Sequence, residues 1–171
     1  GAAVRVITPE KMLPVSGGLG IPKATTEKRG ELTARAVVFR KGDVSVGVVQ
    51  LDLLGFPSVL GDRVCAKVKG IPKENVLIAS THTHSAPDCY GFPDGKGKRS
   101  SDEKYSQTVL TRMAVAINEA AATLMPAKLK IAPGEAKGKI AYNYYAEQLY
   151  EPRCHVIQAL YEAGKPVATL V

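Results

Sequence analysis

No stretch of the sequence approaches the roughly 20 consecutive apolar residues that a bilayer-spanning helix requires, and the pattern contains no such candidate. The opening segment GAAVRVITPE lacks a basic region followed by an apolar one, so it does not read as a signal peptide, and its missing initiator Met predicts a trimmed or recombinant start. Cysteine is scarce: Cys65, Cys89 and Cys154 are an odd number at no C-x2-C spacing, which excludes a cysteine-rich zinc ribbon. Cys65 falls in a helical pattern and is expected to be a small buried hydrophobe. A Cys89–Cys154 disulfide is left open. Repeats and low-complexity tracts are absent. Histidine occurs only three times, at His82, His84 and His155.

What is present fits one globular domain. The 171 residues are 45% apolar and 23% charged, enough to bury a sizeable core. Lys and Arg number 23 against 16 Asp and Glu, a net charge of +7. The densest basic stretch, Lys96 to Arg99, is flanked by Asp94, Asp102 and Glu103 and has no interleaved aromatics. That composition predicts a solvated loop and no nucleic-acid partner. The positive excess is compatible with peripheral contact with an anionic membrane surface.

The pattern predicts a short strand over Ala3–Thr8, an irregular stretch over Met12–Thr26, and a hairpin of Thr33–Arg40 with Val44–Leu51 across Lys41-Gly42-Asp43. Ser58–Lys69 reads as a helix stopped by Gly70 and Pro72. Asn75–Ser80 (NVLIAS) reads as a fully buried strand. A Gly- and Pro-rich loop from Asp88 to Ser101 leads into a long helix over Glu103–Leu124. Lys128–Ala132 and Lys139–Tyr142 are expected strands. His155–Tyr161 and Pro166–Val171 form a second expected hairpin. The fold class that follows is α/β, a layered mixed sheet flanked by helices and carrying hairpins. The last apolar strand, ATLV, has no closing element, so the chain is expected to be an incomplete part of a larger catalytic domain.

His82 and His84 close the Asn75–Ser80 strand. Side chains two apart in an extended segment point the same way, so the pair aims two imidazoles into one space, at the sheet edge where α/β proteins place ligands. Imidazole is a common zinc ligand, and Thr81, Thr83 and Ser85 are placed to fix its tautomer. Spacing alone leaves this reading beside another, in which both histidines only cap the strand end. Asp52 in VVQLDLLGF ends an apolar strand, either capping the next turn or serving the site. Gly17 and Gly18 are turn residues whose backbone is able to approach a ligand. His155 is expected to be half-buried and structural, and Tyr142, Tyr144 and Tyr145 to pack.

The string NVLIASTHTHSAPD resembles the metal-binding segment of the neutral/alkaline (non-lysosomal) ceramidase family, in which a strand leads into T-H-T-H-S-x-P. LTARAVVF, VSVGVVQLDLLG and EPRCHVIQALYEAGKPVATLV resemble flanking segments of that family in order and spacing, and THTHS is the specific part. The resemblance implies zinc as cofactor, His82 as a metal ligand, and His84 as the histidine that binds substrate or steadies the oxyanion. It places Asp52 among the active-site residues and Gly17 and Gly18 in a loop near the substrate. Another His, a Glu and a Tyr beyond Val171 would complete the zinc site, and an active-site serine would also lie beyond Val171. Around AYNYYAEQ the family tends to carry an Arg after the Asn, and this chain has Tyr144.

The reaction so implied is hydrolysis of an amide in a ceramide-like or other N-acyl substrate by a metal-activated water, in an exported or lumenal protein. The partners are then a small-molecule or lipid substrate and the rest of the catalytic domain. The alternative is a non-catalytic relative that binds a lipid or glycan, which Tyr144 favours.

Overall fold

The computed structural model describes residues 1–18, 20–138 and 140–171. The chain forms two compact units, Gly1–Leu124 and Met125–Val171.

In the first unit a four-stranded sheet runs in the order β1 (Ala2–Val6), β2 (Thr33–Lys41), β3 (Val44–Leu51), β4 (Val76–Ser80). The β1–β2 and β2–β3 pairs are antiparallel, and β4 is parallel to β3. The β2–β3 hairpin follows from its turn: Lys41 pairs with Val44, and Gly42 at φ +56° supplies the left-handed first position that a tight two-residue loop needs. Helix α1 (Ser58–Cys65) and a 3-10 turn (Lys73–Asn75) connect β3 to β4.

Helix α2 (Glu103–Ala122) is capped by Asp102, whose carboxylate accepts the Tyr105 N–H at 2.7 Å. Its apolar stripe (Val109, Leu110, Met113, Ile117, Ala120) is buried against β1, β2 and β3, with α1 packed on its flank. Leu110, Met113 and Ile117 are fully enclosed, so truncating any one to Ala costs about 2–5 kcal/mol.

The second unit is an antiparallel sheet of β5 (Lys128–Glu135), β6 (Arg153–Leu160) and β7 (Pro166–Leu170). The mixed sheet, its helices and both hairpins match the α/β architecture expected from the sequence.

Several local expectations are corrected. Helix α1 stops at Cys65, short of Lys69, because Asn118 on α2 captures the chain end: its side-chain amide accepts the Lys69 N–H and donates to the Lys67 carbonyl. Strand β4 is an edge strand with no fully buried residue, so the run VLIAS marks a one-sided strand. Strand β5 continues past Ala132 to Glu135. Of the strand expected over Lys139–Tyr142, Lys139 lies outside the described residues, and Ile140–Tyr142 take no strand structure. Tyr142, Tyr144 and Tyr145 are exposed and do not pack into a core, although the last two rings meet edge to face at 5.4 Å. His155 is exposed on β6. Cys65 is half-buried, and all three cysteines are free thiols.

Candidate functional site

Parallel pairing puts the carboxyl ends of β3 and β4 side by side, with Leu51 opposite Ser80 and the Thr81 N–H donating to the Leu51 carbonyl at 2.9 Å. The segments leaving those strands, Asp52–Phe56 and Thr81–Ser85, therefore emerge together at one sheet edge, the usual ligand edge of an open α/β sheet. A third segment completes the site. Val15 forms backbone bridges to Lys23 and Pro87, and the Ser16 N–H donates to the Ala86 carbonyl at 3.1 Å. Between them lies a cavity of about 630 Å³ with Ser16, Gly17, Leu54, His82, His84 and Phe92 among its walls.

The two imidazoles do come together, with ring centroids 5.4 Å apart and planes at 70°. The cause differs from strand alternation. The strand ends at Ser80, and His82 sits at φ +60°, the one non-glycine residue in the left-handed region among the described residues. For an L-residue that conformation costs about 1–2 kcal/mol, and it is held by contacts around it. His82 Nδ1 lies 2.8 Å from the Leu54 carbonyl oxygen. A carbonyl only accepts, so Nδ1 carries the proton and the lone pair of neutral His82 is at Nε2. An imidazole anchored on backbone through one nitrogen in this way has its other nitrogen held in a fixed direction. The anchor is Leu54; the Thr83 hydroxyl instead accepts the Ser85 N–H within its own turn.

Gly17 lies against His84. At φ +119° a Cβ on Gly17 would come inside 3.0 Å of the His84 ring, whereas a Cβ on Gly18 would meet nothing within 4 Å. The glycine pair thus divides into one residue that seats His84 and one that borders open space in the cavity.

Asp52 is placed elsewhere. Its Oδ2 accepts both the N–H of Thr33 at 2.9 Å and the Thr33 hydroxyl at 2.6 Å, and the residue is not part of the cavity wall. It extends the β2–β3 ladder by one side-chain-mediated step, neither capping the following turn nor bonding a histidine.

Asp88, the last residue of THTHSAPD, is the residue that sequence reasoning missed. Only 1% exposed, its carboxylate accepts the N–H groups of Tyr90, Gly91 and Phe92 at 2.7, 3.0 and 2.8 Å, and also the Ser100 hydroxyl. It folds the loop that presents Phe92 to the cavity. The available signal was an Asp at the head of a Gly-containing turn, which bonds its own following backbone. The neighbouring Cys89 thiol is pushed up to about 11, chiefly by burial, which makes it an inert packing group.

His82 and His84 supply two imidazole donors, and among the described residues no group of three or more His, Cys, Asp and Glu side chains is gathered closely enough to enclose a metal. The site is an open α/β sheet edge carrying a histidine pair.

That class of fold has solved counterparts. The structure of neutral ceramidase from Pseudomonas aeruginosa superposes with a TM-score of 0.79 at 22% identity, over 99% of this chain and 30% of that one. A structure of ceramidase complexed with C2 gives 0.78 at 22% identity, with the same coverage. The chain has the fold of a part of neutral ceramidase and spans 30% of those chains' length. No protein-family model and no curated protein sequence matches it.

Proposed function

We propose that this chain is the histidine-bearing part of a zinc-dependent amidohydrolase that cleaves a ceramide-like or other N-acyl substrate. The observation that carries the reading is the His82–Leu54 contact, 2.8 Å long, which leaves the Nε2 lone pair of a cavity-lining imidazole available as a ligand donor. The ceramidase fold agrees with it. In this reading His82 binds zinc and the remaining ligands come from outside the chain. When bound, zinc would polarise the scissile carbonyl and lower the pKa of a bound water towards about 7. His84, seated on Gly17 across from His82, donates to the oxygen that becomes negative as the carbonyl is attacked, a contribution worth about 10²–10³ in rate in other hydrolases. Gly18, with open space around its α-carbon, leaves room for the substrate to lie along the Ser16–Gly18 backbone, beside the His84 ring seated on Gly17. Asp52 acts at a distance, by holding the start of β2. An exported or lumenal location, and contact with anionic lipid surfaces through the positive excess, accompany this reading.

Elemental analysis of the full-length protein tests it. About one zinc per chain, lost in His82→Ala, is the expected result. If neither protein holds zinc after incubation with it, the histidines are strand-end caps and the chain belongs to a non-catalytic binder of a lipid or glycan.

A further inference from the structure

Ser16 is 4% exposed, and its hydroxyl has no hydrogen-bond partner among the described residues. About nine-tenths of buried polar groups in folded proteins are paired, and an unpaired hydroxyl in the interior destabilises the fold in a way that alanine would not. Its backbone is pinned on both sides, by the bridges of Val15 to Lys23 and Pro87 and by the Ser16 N–H on the Ala86 carbonyl. The backbone is therefore fixed, and turning the side chain about χ1 between staggered positions breaks no hydrogen bond. It stands in the wall of the histidine cavity, one residue before the glycine that seats His84.

We infer that Ser16 is a substrate-binding residue, whose hydroxyl turns into the cavity and hydrogen-bonds a hydroxyl group flanking the scissile bond. This rests on the amidohydrolase reading above. The orphan hydroxyl is then a group left unsatisfied by the empty fold and satisfied by the substrate, so that a substrate lacking the polar neighbour leaves it unpaired and is turned over less well.

The test uses the zinc-loaded full-length protein, its Ser16→Ala variant, and two N-acyl substrates, one with a hydroxyl-bearing amine portion and one with a plain alkylamine. The expected result is a melting temperature no lower in Ser16→Ala than in the wild type, since no internal bond is lost. With it, kcat/KM falls roughly tenfold on the hydroxyl-bearing substrate and changes little on the alkylamide. Unchanged kcat/KM on both substrates overturns the inference and leaves the hydrolase reading intact. A melting temperature several degrees lower also overturns it, by exposing an internal partner for the hydroxyl. No turnover of either amide by the wild type overturns the hydrolase reading and this inference together.

Discussion

Gly17 carries the ring of His84 on its bare α-carbon: any side chain placed there would enter the imidazole, and its backbone already lies at φ +119°. The glycine and the histidine are 67 residues apart in the chain and define one face of the cavity together. Gly17→Ala is expected to displace His84 and to cost about 1–3 kcal/mol through left-handed backbone strain. Gly18→Ala, with nothing within 4 Å of the new methyl, is expected to leave stability within about 0.5 kcal/mol. Paired denaturation curves, with turnover measured on both variants, check the contrast.

The left-handed backbone of His82 reverses a familiar ranking. Both His82→Ala and His82→Gly lose the imidazole and its bond to Leu54, but only Gly sits at φ +60° without penalty. Glycine is expected to be the more stable variant by about 1 kcal/mol, the left-handed cost of alanine less the extra chain entropy of glycine. Chemical denaturation of the two proteins decides it, and an alanine variant at least as stable would show that the kink is not imposed by the surrounding fold.

Nitrogen chemical shifts report the tautomer directly. In metal-free protein, neutral His82 is expected with its proton on Nδ1, because the Leu54 oxygen can only accept. A spectrum showing the proton on Nε2 would remove the argument for a metal-facing lone pair.

Asp88→Asn replaces a carboxylate that accepts three backbone N–H groups and the Ser100 hydroxyl with a group that must point an N–H₂ at some of them. The expected loss is about 1.5–3 kcal/mol. Faster amide exchange at Tyr90, Gly91 and Phe92 should accompany it, since the loop loses its anchor while the histidine segment keeps its backbone ties.

The exposed turn around Asp94 gives a pH signature. Its carboxyl is held below the ordinary 3.8, first by the backbone N–H of Lys96 and then by that of Lys98. A depressed folded pKa means that the turn is fully favoured above the unfolded value and loosens as pH falls through the folded one. Amide exchange at Lys96 and Lys98 is therefore expected to be slow near neutral pH and to gain protection-loss only below 3.8. A change already complete at pH 5 would show that another group controls the turn.

Much of this chain is written in local pattern. Alternating β-branched runs around Gly42 give the β2–β3 hairpin, the apolar spacing within Glu103–Leu124 gives α2, and the H-x-H after β4 marks the site, because each depends on residues within a few positions of one another. Where pattern failed, the competing term was non-local. Asn118 shortened α1, Thr33 drew Asp52 away from the cavity, and placement at a sheet edge left β4 half-exposed.

The sequence by itself determined which residue types meet at the sheet edge and which elements carry them there. Only the tertiary structure decided how they meet. His82 is kinked and hydrogen-bonded to Leu54, His84 rests on Gly17, Asp88 gathers its own loop, and the hydroxyl of Ser16 is left without a partner. Those outcomes depend on contacts between segments far apart in the chain, whose distances exist only once β3 and β4 lie parallel and the Val15–Ser16 segment is pinned against Ala86 and Pro87.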